Sequence, residues 1–130
     1  MVRSLPFAMA LAFLFVGLLM GCELVRSPEE CEEDLQAMQT VVAEAVAAGL
    51  SCQSDSDCVM MDVSNACYGA CPVAVSILSY EQIGRDIRDA EQLYCRQYGE
   101  ECGYAQPLCP ELKTACVQGS CRMVDPMEGL

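Results

Sequence analysis

Residues 52–77 read CQSDSDCVMMDVSNACYGACPVAVSI, and this stretch decides the fold. It holds four cysteines, Cys52, Cys58, Cys67 and Cys71, around two short runs rich in β-branched residues. Val59 to Val63 reads as one strand, and Val73, Val75 and Ile77 alternate as a second. The turn-rich segment Ser64 to Pro72 between them predicts antiparallel partners. Cys52 to Cys58 is polar and small, which marks a loop.

Outward from this stretch, each flank predicts a helix. On the amino-terminal side Ser27-Pro28-Glu29-Glu30 is a start signal, with Ser27 as N-cap, Pro28 at the first helical position and Glu30 completing a capping box. Glu29, Glu30, Glu32, Glu33 and Asp34 place negative charge at the positive end of the helix dipole. Cys31, Leu35, Met38, Val42 and Ala45 form one apolar stripe, and Gly49 suits the position that ends the helix. On the carboxyl-terminal side Ser79 opens a second helix with Gln82 as its capping partner. Its stripe is Tyr80, Ile83, Ile87, Ala90 and Tyr94, with Cys95 beside it and Gly99 ending it. Gly84 either weakens this helix, by up to about 1 kcal/mol against Ala, or marks close packing. After a loop with two prolines, Cys102 to Pro110, the run Leu112–Val117, Gln118-Gly119, Ser120–Val124 reads as a hairpin with a two-residue turn. That register sets Val117 opposite Ser120 and Cys116 opposite Cys121. The fold class is therefore α+β, a small disulfide-rich domain with two helices packed on a short antiparallel sheet.

The 130 residues contain 11 Cys and no His or Trp. Residues 1–21, MVRSLPFAMALAFLFVGLLMG, combine the positive Arg3 with a long apolar run, the layout of a secretory signal. The apolar run from Leu5 to Met20 is short of the roughly 20 residues that a spanning helix needs. The segment closes on Leu19-Met20-Gly21-Cys22. This resembles the lipobox of bacterial lipoproteins, with an aliphatic residue at −3, a small one at −1 and the obligatory Cys, while Met20 departs from the residues preferred there. The resemblance implies lipidation of Cys22 on sulfur and on its new amino terminus.

Removing Cys22 leaves ten cysteines, Cys31, Cys52, Cys58, Cys67, Cys71, Cys95, Cys102, Cys109, Cys116 and Cys121. An even set in an exported chain predicts disulfides, whose pairing sequence alone cannot choose. No C-x-x-C and no His is present, so neither the usual zinc pattern nor a thioredoxin-like redox motif is formed. We expect no metal and no cofactor. The domain layout is 1–21 signal peptide, 22–28 lipidated tether, 29–125 globular domain and 126–130 frayed tail. Glu23 to Arg26 reach only about 15 Å when extended, which keeps the domain near its membrane.

With Arg3 in the leader, six basic residues face 19 acidic ones, a net charge of about −13. Such a surface repels nucleic acid and anionic headgroups. Without His there is no Ser–His–Asp or Cys–His site. Asp55, Asp57 and Asp62 are close enough in sequence for acid–base work or Ca²⁺ binding, but they lack the EF-hand layout, and turn or cap roles are the commoner use. We expect no catalytic residue and no enzyme.

Two resemblances bear on function. Cys52-Gln-Ser-Asp-Ser-Asp-Cys58 is similar to the C-x-x-D-x-D-C segment of whey acidic protein domains, some of which inhibit serine proteases. That family then requires a Cys–Cys doublet, whereas Cys67 and Cys71 stand apart. The wider pattern resembles the small cysteine-rich lipoproteins of Gram-negative bacteria, with a C-x₅-C segment, a C-P step and a closing Ala115-Cys116-Val117-Gln118-Gly119-Ser120-Cys121. It implies an envelope lipoprotein anchored by lipid, at the outer membrane more than the inner because Glu23 rather than Asp follows Cys22. The expected activity is non-enzymatic binding or scaffolding of an envelope partner, with loops such as Cys102–Pro110 carrying recognition. The alternative is an inhibitor of exported serine proteases that presents Asn65–Ala70.

Overall fold

A computed structural model describes residues 27–96, 102–103 and 105–127. Helix α1 spans Pro28–Ala48 and is capped as its sequence requires. Glu30 N–H donates to Ser27 Oγ at 3.3 Å, and Ser27 N–H donates back to Glu30 Oε2 at 2.8 Å. Met38 and Val42 of its stripe are buried, with Ala45 packed beside them. Gly49 ends the helix, but not by left-handed backbone. Its φ is −118°, and the glycine is needed for space. A Cβ there would fall 2.5 Å from Ile83 Cδ1 and 2.8 Å from Ser79 Cβ.

Strands β1 (Cys58–Met61) and β2 (Val73–Ser76) pair antiparallel, with Val59 opposite Val75 and Met61 opposite Val73. Both end earlier than the sequence pattern suggests. Val63 is buried beyond β1, while Ile77, just past β2, still bonds Asp57 O through its N–H and exposes its side chain. Helix α2 spans Tyr80–Ala90 and widens into a π-helical turn, Glu91–Cys95. Here the expected capping box is absent. Ser79 sits in right-handed helical backbone (φ −99°, ψ −9°) and makes no side-chain cap. Gln82 instead donates to Asp86 Oδ1 and accepts from Arg85. The π-turn also changes which residue faces in. The regular spacing from Ile83, Ile87 and Ala90 would bury Tyr94, but the wider π-turn buries Cys95 and leaves Tyr94 half-buried against the same core. The expected end at Gly99 lies outside the described residues.

Strands β3 (Lys113–Val117) and β4 (Ser120–Val124) form a hairpin in the expected register, Cys116 opposite Cys121 and Val117 opposite Ser120. Gln118 and Gly119 take φ of 53° and 78°, the paired positive values of a type I′ turn. The antiparallel structure is thus divided into two two-stranded sheets. Pro126 and Met127 at the start of the tail are exposed, and residues 128–130 lie outside the described set.

The β1–β2 sheet is the middle layer. Because strand side chains alternate, Val59, Met61, Val73 and Val75 face the helices and join Met38, Val42, Ile83 and Ile87 in the main core. Cys58 and Ala74 face the other way, onto Cys121, Cys52, Cys116 and Met123 in a smaller core against the hairpin.

Five disulfides tie these layers. Cys52–Cys116 and Cys58–Cys121 bolt the hairpin to the middle of the chain. Cys67–Cys95 joins the inter-strand loop to the π-turn, Cys71–Cys109 joins the foot of β2 to the proline loop, and Cys31–Cys102 ties α1 to that loop's start. The two hairpin bridges span 64 and 63 residues, and the chain-entropy model gives roughly 4 kcal/mol for each such loop.

The two glycines at the helices predict opposite outcomes. Gly49→Ala drives a methyl group into the Ile83 side chain and Ser79 Cβ, and overpacking of this kind costs about 1–3 kcal/mol. At Gly84 a Cβ meets only Met61 Cε at 3.4 Å and the exposed, movable Arg88 guanidinium at 3.3 Å. Gly84→Ala should therefore keep most of the roughly 1 kcal/mol of helix propensity that alanine adds. Thermal melts of the two variants should move in opposite directions.

Candidate functional site

The three carboxylates singled out by spacing are each engaged by the backbone. Asp57 Oδ2 accepts the N–H groups of Gln53 at 2.8 Å and Ser54 at 2.9 Å. Those amides hold its carboxyl below the usual carboxylate range, Gln53 contributing most. Asp55 Oδ1 accepts Cys116 N–H at 2.8 Å and so covers the outer edge of β3 at that position. Asp62 Oδ1 accepts Ser64 N–H in a local turn. The three serve three different pieces of backbone.

The loop Asn65–Ala70 is drawn inward. Cys67 is wholly buried, Asn65 N–H donates to Tyr68 O, and Ala66 N–H donates to Glu91 Oε1 on the π-turn. Ser64 Oγ closes the loop by donating to Ala70 O and accepting Ala70 N–H. The proline loop is the opposite case. Residues 105–110 are exposed, bolted at Cys109 and touched by Gln106, which donates to Ser64 Oγ.

A polar groove of about 450 Å³ lies between the end of β1 and α2, lined by Asp62, Ser64, Tyr80, Arg85, Arg88 and Glu91. Several of these groups are already committed to the fold, Ser64 and Glu91 as above and Arg85 to Gln82 and Glu81. The Sγ atoms of Cys52, Cys58 and Cys116 lie within 4.8 Å of one another. That closeness reflects two neighbouring disulfides, whose oxidised sulfurs are not the thiolates that ligate metals.

The sequence reading missed the outer edge of β1. Ile77 N–H donates to Asp57 O at 2.8 Å, which sets Asp57 and Ile77 at a hydrogen-bonded position of the ladder, although Asp57 N–H itself turns back to Ser54 O. Antiparallel ladders alternate, so Cys58 and Met60 turn their N–H and C=O groups away from β2. Two further bonds fit this register: Thr114 Oγ1 donates to the outward Cys58 O, and Ser76, opposite Cys58, sends its N–H outward to Gly49 O. At Met60 the outward N–H and C=O have no hydrogen-bond partner among the described residues, and its side chain is 48 % exposed. Two hollows meet there. One of about 420 Å³ is lined by Val59, Met60, Ile77, Tyr80 and Glu81. The other, of about 470 Å³, includes Met60, Pro72, Pro110, Leu112, Met123 and Glu111. Composition carried no signal of this, because an open edge depends on what the rest of the chain fails to cover.

Cys22 lies outside the described residues. Among the described residues no helix is long and apolar enough to cross a membrane. Comparison with protein-family models, with curated proteins and with solved structures finds no match to this chain.

The lowered pKa of Asp57 sets a pH dependence. Its folded value is depressed, so its contribution is complete above the unfolded value of about 4 and is lost as pH falls through the lower folded value. Asp57→Asn keeps an acceptor but removes the charge. The stability gap between wild type and variant, from denaturant midpoints, should be constant from pH 7 to 5 and narrow below about pH 4.

Proposed function

We propose that this chain is an exported envelope lipoprotein, anchored through acylated Cys22, whose disulfide-stapled domain binds or scaffolds another macromolecule without catalysing a reaction. The observation that carries the reading is the cysteine balance. Five disulfides use all ten cysteines that follow residue 22. The odd one left is the residue that closes the lipobox-like Leu19-Met20-Gly21-Cys22. An unpaired cysteine in an exported chain needs a use, and acylation is one.

The physical consequences agree with one another. Three acyl chains, at about 0.8 kcal/mol per buried CH₂, hold a protein at a bilayer for its lifetime. The capped start of α1 at Ser27 leaves only a few residues between anchor and domain, so the domain sits close above the lipid. Its acidic surface, including Glu29 and Glu30 in the first turn of α1, is repelled by anionic headgroups. Glu23 after the anchor favours the outer membrane by the sorting rule of enteric bacteria.

Cys22→Ser tests this directly. The variant should move from the membrane fraction to the soluble fraction, and the wild-type mature chain should carry the mass of added acyl groups and begin at residue 22. A wild-type chain that keeps residues 1–21, or a variant that partitions like the wild type, overturns the proposal.

A further inference from the structure

We propose that the outer edge of β1 is a docking site for an extended, basic segment of a partner protein, which joins the β1–β2 sheet as a third strand. This rests on the reading of the domain as a binding module and names how it binds.

The first support is the edge itself. Met60 turns an N–H and a C=O outward with no partner among the described residues, the template on which a further strand pairs. The other edges are partly occupied. Asp55 Oδ1 occupies Cys116 N–H on β3, Leu50 O accepts Cys121 N–H on β4, and on β2 Ser76 N–H is taken by Gly49 O while Ala74 is buried. Exposed edges are usually blunted by proline, lysine or a bulge. The edge Cys58-Val59-Met60-Met61 has neither proline nor lysine, and its pairing with β2 runs without a bulge. Thr114 covers only its first position, at Cys58 O.

The second support is the pair of hollows that meet at Met60. Neighbouring side chains of a strand point to opposite faces. A strand laid along β1 would send one side chain toward Val59, Ile77 and Tyr80 and the next toward Leu112, Met123 and Pro110. Both linings are mainly apolar, so the incoming segment carries consecutive apolar residues.

The third support is charge. Glu81 lines one hollow and Glu111 the other, Asp62 follows the open edge, and the chain as a whole carries −12. A basic segment is drawn in, whereas a second copy of this chain brings like charge against like.

The test uses the full lipidated protein in non-ionic detergent micelles with its disulfides intact. The probe is a fluorescent peptide, Lys-Lys-Val-Ile-Val-Lys-Lys, read by anisotropy. Saturable binding is expected. The same peptide N-methylated at its three central residues keeps charge and apolar area but cannot pair, and should bind at least about tenfold more weakly. Met60→Pro removes the outward N–H at a position where an edge strand tolerates proline, and should weaken binding comparably. Glu81→Lys should weaken it through charge. Absence of saturable binding, or equal affinity for the N-methylated peptide, overturns the proposal. So does a folded Met60→Pro protein with unchanged affinity, or self-association that occupies the edge. None of these bears on the lipid anchor, which stands or falls on the fractionation of Cys22→Ser.

Discussion

Two neighbouring disulfides, Cys52–Cys116 and Cys58–Cys121, hold the hairpin against the middle sheet, and the architecture depends on that contact. An isolated two-stranded sheet is marginal in water, and this protein has two of them. The β1–β2 pair solves its problem by being covered on both faces. One face takes ordinary aliphatic packing from the helices, centred on Met38, Val75 and Ile83. The other takes sulfur, because Cys52, Cys58, Cys116 and Cys121 are most of the small core beneath the hairpin. The same atoms therefore cross-link the chain and fill its interior. That suits a domain too small to bury a large hydrophobic core.

The polar groups are similarly economical. Asp55, Asp57 and Asp62 each satisfy backbone N–H groups. Asp55 does two jobs, since its bond to Cys116 both ties the loop to the hairpin and covers the outer edge of β3 at Cys116. Ser64 and Glu91 hold the inter-strand loop against the π-turn. Among the described residues the outward N–H and C=O of Met60 retain hydrogen-bonding capacity at an exposed position, which favours strand pairing over side-chain chemistry.

Much of this was legible in the chain. The α1 capping box, the Gln118-Gly119 turn and the hairpin register are local patterns with local causes, and the structure has them all. The even set of ten cysteines implied five bridges, although which cysteine meets which is set by tertiary contact and not by spacing. The failures have the same origin. Ser79 looks like a cap, but the tight turn from Ser76 puts it in helical backbone. Cys95 reads as lying beside the stripe until a π-turn rotates it inward. Gly49 suits a left-handed cap, yet its reason is the approach of Ile83, which lies far along the chain on the next helix. The open edge at Met60 is the extreme case, because it is defined by coverage and no residue type encodes it.

Peptide mapping of the native protein, digested without reduction and read by mass spectrometry, bears most directly on this account. It predicts cross-linked fragments joining Cys31 to Cys102, Cys52 to Cys116, Cys58 to Cys121, Cys67 to Cys95 and Cys71 to Cys109, with Cys22 in none of them. A Cys116–Cys121 link within the hairpin, a bridge to Cys22, or free thiols among the ten would contradict it.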